Sequence, residues 1–173
     1  MPPDFGVYEM LENNLKKMGF SQVSVLAPSF RYKFKDRLLN FIQKSLFKNR
    51  AYKKQLIDLY YNTEISNTLS SFAEGSVDYA IVIRPDKLNA ATISRLHSVA
   101  NKVIAYQWDG LARFPKVFKV IPLFKRFFVF DPEDYNRYKY QYPNLLLCTN
   151  FYFDTSEEKT LVNKNEVMYV GVY

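Results

Sequence analysis

The sequence predicts an α/β domain of the Rossmann-like, doubly wound kind: a mostly parallel sheet with helices on both faces. Three observations predict it. Apolar runs of strand length recur at 23–27 (VSVLA), 79–83 (YAIVI), 102–108 (KVIAYQW), 127–130 (FFVF) and 145–148 (LLLC). Most are continuously apolar rather than alternating, the pattern of strands buried on both faces. Stretches with helical periodicity separate them, which is the βα alternation of a parallel sheet. The 173 residues suffice for one domain with its own core, and 48% of them are hydrophobic.

Each element has a local cause. Residues 4–18 place Val7, Met10, Leu11, Leu15 and Met18 on one helical face, and Gly19 stops the helix. Residues 23–27 read as a short buried strand ahead of Pro28. A basic helix follows, with Leu38, Ile42 and Leu46 at i, i+4, i+8. Residues 52–72 form a second long helix, closed by Gly75. The strand at 79–83 stops at Arg84-Pro85-Asp86. Asn89 is an N-cap for a helix over 90–100. The strand at 102–108 ends in Asp109-Gly110, and Pro115 and Pro122 confine the next helix to about 117–121. After 127–130, Asp131-Pro132-Glu133-Asp134 reads as an N-cap, a proline at the first helical position and acids in the first turn. That helix runs to about residue 140, and 145–148 is a further strand.

The ends differ in character. Residues 2–6, PPDFG, look like a strand-to-helix loop without its strand. The first strand of a doubly wound sheet is usually central, so a gap is expected where it belongs. Residues 1–155 are expected to form the Rossmann-like domain and 156–166 a polar linker. Residues 167–173, opening with VMYVGV, are expected to start a second domain or to add a strand.

The net charge of +7 lies in one stretch. Residues 31–54 hold nine Lys/Arg and one acid, while 55–173 are balanced. Arg31, Lys33, Lys35, Arg37, Lys44 and Lys48 are the candidate contacts to a membrane or an anion. Three readings stay open: a solvated face on a helix packed against the core, an anionic membrane surface, and nucleic acid. The chain lacks the glycine-aromatic signature of an RNA-binding sheet, which disfavours nucleic acid. Residues 1–10 do not read as a signal peptide, and no apolar run approaches a membrane span. A cytoplasmic protein is expected, with peripheral contact at the inner membrane face.

In open α/β sheets ligands bind beyond the carboxyl ends of the strands. Ser29, Arg84, Asp86, Trp108, Asp109, Asp131 and Asn150 fall there. Each also has a structural reading: Asp131 as a helix cap, Asp86 and Asp109 as turn residues, Arg84 as an ion-pair partner of Asp86 or Asp109, Trp108 as core. One cysteine, Cys148, and one histidine, His97, exclude an internal disulfide and metal sites built on several cysteines or histidines. The five glycines, at 6, 19, 75, 110 and 171, form no phosphate loop, so a dinucleotide fingerprint and a Walker A are excluded. No metal site and no covalently bound cofactor is expected.

The ordered set DYAIVIRPDKL, KVIAYQWDGLARFP, FFVFDPEDYNRY and VMYVGVY resembles the amino-terminal half of GT-B-type bacterial glycosyltransferases. These belong to lipopolysaccharide and capsule synthesis and are similar to the spore-maturation CgeB group. The resemblance covers about residues 4–173. It implies the acceptor-side domain of a two-domain enzyme that moves a sugar from a nucleotide-sugar to a cell-surface polysaccharide or lipid-linked acceptor. The donor is expected only with a second domain, and catalysis is not expected of this chain alone. It further implies that Arg84, Trp108, Asp109 and Asp131 line the cleft, with Asp109 the first and Asp4 the second candidate for the base. The alternative is a non-catalytic Rossmann-like module that binds a partner protein or a small anionic ligand.

Overall fold

The computed structural model describes residues 7–149. Within them, strands β1 (Val77–Ile83), β2 (Ala100–Gln107), β3 (Arg126–Val129) and β4 (Leu145–Leu147) form one parallel sheet in the order β1-β2-β3-β4. Its register puts Val82, Ala105, Phe127 and Leu145 in one row across the sheet. All four are buried, which is what the apolar runs require when helices cover that face.

Five helices frame the sheet: α1 (Val7–Lys17), α2 (Phe34–Ser45), α3 (Tyr52–Leu69), α4 (Ala90–Val99) and α5 (Pro132–Tyr138). Every connection from β1 to β4 steps one strand in the same direction. Right-handed crossovers that step the same way lie on one face. Accordingly α4, α5 and the β2–β3 connection pack into a single core through Ile93, Val99, Leu111, Ile121, Phe124 and Tyr135. The β2–β3 connection is three short 3-10 turns, Leu111–Arg113, Pro115–Lys119 and Ile121–Leu123, where the sequence suggested one helix. Pro115 and Pro122 keep the turns separate, since neither can continue a preceding helical ladder. The whole is a Rossmann-like α/β domain, a parallel sheet with helices on both faces, matching the doubly wound class.

Local signals behave as their chemistry predicts. Asn89 caps α4, its Oδ1 accepting the Thr92 N–H at 2.8 Å. Asp131 caps α5, accepting the Glu133 N–H at 2.8 Å with Pro132 at the first helical position. A tertiary clamp joins α3 to the turn before α4. The buried Asn62 amide donates to the Asp58 and Lys87 carbonyls at 2.7 and 3.0 Å. Its Oδ1 accepts from the Asn89 N–H and the Thr92 hydroxyl at 2.8 and 2.9 Å. All four bonds open to an amide side chain are made.

Two expectations fail. Residues 23–27 are not a strand, although they run beside β1. A strand exists only through its neighbour's hydrogen bonds, and a cavity separates this segment from the β1 edge. Nor does α2 turn its apolar side to the core. Phe34, Leu38, Phe41 and Leu46 are all exposed, and the one buried residue of the helix is Asp36. The Asp36 carboxylate accepts the Lys33 N–H at 3.0 Å and so closes the helix start. The linker and terminal strand expected at 156–173 lie outside the described residues.

Candidate functional site

The polar residues at the carboxyl end of the sheet converge on Arg84. The β1 ladder continues one step past Ile83, with the Arg84 N–H donating to the Tyr106 carbonyl at 3.0 Å. The backbone then enters the left-handed region, φ 61° and ψ 58°, immediately before the buried Pro85. A non-glycine residue there costs about 1–3 kcal/mol, and a following proline disfavours helical backbone further. The side chain that this turn presents is held on three sides. Nε and Nη2 donate to the two carboxylate oxygens of Asp86 at 2.7 and 3.0 Å, a bidentate fork. Nη1 donates to Asp109 Oδ2 at 2.8 Å. The guanidinium carbon lies 3.8 Å from the centroid of the Phe114 ring.

Arg84 is thereby held above the ordinary arginine range. Burial works against its charge, and the bonds and fields of Asp86 and then Asp109 outweigh that burial. The second oxygen of Asp109 accepts from the exposed Arg113 at 3.4 Å. Two carboxylates and two guanidiniums make a balanced cluster. Asp109 is fixed in position and fully ion-paired, and three of the five Arg84 N–H groups are spent on carboxylates.

The turn after Asp109 has its own support. The buried Asp134 Oδ2 accepts the Leu111 N–H at 2.7 Å, and a side chain at Gly110 would meet the same oxygen at 3.6 Å. Sequence reading placed Asp134 only as a first-turn acid of α5. It missed Gln107, at the last position of β2, which is fully buried with both amide atoms unpartnered among the described residues. An unsatisfied buried polar group costs about 1–3 kcal/mol. The one available signal was a polar residue inside an apolar run.

The remaining candidates separate. Trp108 is half-buried and, with Arg84, lines the end of the cavity beside β1. Asp131 serves α5 as its cap and is not among the Arg84 contacts. Ser29 is exposed, with its carbonyl accepting the Tyr60 hydroxyl at 3.3 Å. Asp4 and Asn150 lie outside the described residues. Arg31, Lys33, Lys35, Arg37, Lys44 and Lys48 are all exposed, on α2 and the chain flanking it. Among the described residues no helix is long and apolar enough to cross a membrane, and no group of three or more His, Cys, Asp or Glu could hold a metal ion.

No protein-family model, no curated protein and no solved structure matches this chain. The fold and the site therefore define a class only: a Rossmann-like domain with a polar cluster at the ligand-binding end of its sheet. Such a fold is compatible with nucleotide-binding modules in general.

Proposed function

We propose that this chain is the acceptor-side domain of a nucleotide-sugar-dependent glycosyltransferase of the GT-B type. The observation that carries the reading is the convergence of Arg84, Asp86 and Asp109 at the carboxyl ends of two adjacent parallel strands. This is where α/β sheets receive ligands, and it meets the sequence resemblance at Arg84 and Asp109. Asp109 is the candidate base for the acceptor hydroxyl, oriented by two guanidiniums. The exposed phenylalanines and leucines of α2, set among lysines and arginines, suit a lipid-linked acceptor on an anionic membrane. The donor nucleotide-sugar belongs to a second domain.

The test is sugar transfer by the protein as its cell makes it. Labelled nucleotide-sugars are offered with glycolipid extracted from that cell's envelope, and labelled lipid or polysaccharide is the expected product. Absence of transfer across the common nucleotide-sugars would reject the reading.

One observation favours a second reading, a non-catalytic module for a partner protein or a small anionic ligand. Asp109 is already ion-paired on both oxygens, an arrangement that suits a structural strut as well as a base. Binding of a nucleotide or sugar phosphate without turnover would select it.

A further inference from the structure

The α2 helix is turned inside out. At 3.6 residues per turn, Phe34, Leu38 and Phe41 fall on one side of it, and Asp36, Asn40 and Gln43 on the opposite side. The side turned to the protein is the polar one: Asp36 is buried, and Asn40 and Gln43 are half-buried. The side turned outward is apolar, with Phe34 81%, Leu38 52% and Phe41 66% exposed. Leu46 and Phe47, just past the helix, are 75% and 67% exposed. Cations flank the apolar stripe, Arg37 and Lys44 along one border and Lys35 along the other. A helix that packs on a core in water has the reverse arrangement.

Its place in the fold is equally particular. Residues 58–62 of α3 are tied to the loops at the carboxyl end of the sheet: Lys116 pairs with Asp58, and the Lys87 ammonium lies 5.4 Å from the centroid of the Tyr61 ring. The part of α3 from Tyr52 to Tyr61, ten residues, is about 15 Å of helix at 1.5 Å per residue, and it overhangs that end. The chain leading into α2 packs there, Phe30 on Tyr60 with ring centroids 5.3 Å apart and Tyr32 under Lys53 at 5.0 Å. The α2 helix therefore projects from the same end of the sheet as the Arg84 cluster.

We infer that α2 is an in-plane membrane helix: it seats on the anionic face of a lipid bilayer, apolar stripe among the acyl chains and cations at the phosphates, and carries the Arg84 end of the sheet toward the membrane. Charge selects the occupant. Residues 31–54 hold nine Lys/Arg and one acid, a net +8. A second copy would set one such stretch against another, and the chain's own residues 150–173, with four acids and two lysines, bring only −2. The apolar groups stand out singly. A fluid bilayer fits round such side chains, whereas a protein partner needs pockets shaped to them. The twelve residues of α2 measure about 18 Å, too short for the ~30 Å hydrocarbon layer, so the helix lies along the surface rather than through it. This seat stands apart from the proposed glycosyl transfer: vesicle binding without transfer keeps the seat and rejects the enzyme, and transfer without vesicle binding does the opposite.

The experiment places Phe41→Trp in the full chain, with wild type, whose one tryptophan is Trp108, as the background. Vesicles of phosphatidylglycerol and phosphatidylcholine in equal parts, brominated on their acyl chains, are the probe. The expected result is binding, with a blue shift and bromine quenching of the added tryptophan beyond any change in wild type. Arg37→Glu combined with Lys44→Glu, both at exposed positions, should weaken binding about tenfold or more. No binding, or equal binding to vesicles of phosphatidylcholine alone, overturns the inference. So does binding without quenching at position 41, which would put another surface on the membrane. Tryptophan emission already blue and shielded from iodide before vesicles are added would place the chain's own residues over α2. A dimer abolished by Phe41→Ser would place a second copy there, and tight binding of poly-glutamate with none of vesicles would place an acidic protein. Each of these three results overturns the membrane seat.

Discussion

Arg84 Nη1 donates to Asp109 Oδ2 at 2.8 Å, a bond that ties the end of the first strand to the end of the second across 25 residues of chain. With the Asp86 fork it fixes the turn after β1, although that turn holds an arginine in a backbone region that favours glycine. The pair is part-buried, 15% and 24% exposed, so solvent screens it less than a surface pair.

Removing the guanidinium should therefore be expensive. Arg84→Met leaves Asp86 without its cation and Asp109 with only the exposed Arg113, and is expected to lower stability by about 2–3 kcal/mol in urea unfolding. Arg84→Lys restores one charge without the fork and should recover less than half of the loss. A loss below about 0.5 kcal/mol for Arg84→Met would show that the cluster contributes little to the fold.

Asp109→Asn separates the two roles of the carboxylate. If Asp109 is the base, transfer by the whole enzyme falls about 100-fold or more, while the midpoint of thermal unfolding moves by only a few degrees. Unchanged turnover would remove Asp109 from the chemistry and leave it as the partner of Arg84.

The Asn62 clamp predicts a stability effect far from the site. Asn62→Ala strands the Asn89 N–H and the Lys87 carbonyl in a part-buried setting, each worth about 1–3 kcal/mol when left unpaired. A total of roughly 3 kcal/mol is expected in chemical denaturation, because solvent reaches part of the gap. Asn62→Asp keeps the acceptor but sets a buried carboxylate oxygen against the Asp58 and Lys87 carbonyls, so its cost should equal or exceed that of alanine.

Tyr106 sets an alkaline limit. Burial first, and the neighbouring Cys148 second, push its hydroxyl up to about 12 from an ordinary value of 10.0. The folded state holds the proton after the unfolded chain has released it. Stability is thus fully present below pH 10 and falls between about pH 10 and 12, by roughly 2–3 kcal/mol in all. Tyr106→Phe should flatten this limb in a pH series of unfolding midpoints. In ultraviolet titration Tyr106 should ionise above the ordinary tyrosine value of 10.0.

The α2 surface makes a fifth claim on measurement. Vesicles containing anionic lipid should bind the chain, and binding should weaken as salt rises. Phe41→Ser, at a side chain 66% exposed, should reduce binding several-fold without altering stability. Equal binding to neutral vesicles would exclude an electrostatic membrane contact.

The local parts of the fold were legible because their causes are local. Asn89 and Asp131 announce helix starts through side chains that reach only two or three residues. The four observed strands follow from apolar runs long enough to span a sheet. Residues 23–27 carry the same signal and form no strand, because a strand also needs a partner and sequence pattern is silent about where partners stand. At the site, Arg84, Asp86 and Asp109 were readable as neighbours of strand ends, and their pairing was foreseen as an alternative. Asn62, Gln107 and Asp134 were not legible in their roles. Each acts on, or is buried among, residues distant in the chain, and an isolated polar residue in a helix or strand looks the same whether it faces water or a carbonyl.

The gathering of charge between residues 31 and 54, on a chain otherwise near neutrality, makes the molecule a strong electric dipole. Near a polyanionic surface such a body feels torque as well as attraction. At 0.1 M salt the torque acts only over the last ~10 Å of approach, and at 0.01 M over ~30 Å. Within that distance the protein would rotate until α2 leads, so its orientation is chosen before contact. Dilution of salt would then change how often arrivals are productive, through the rate of capture more than the lifetime of the bound state.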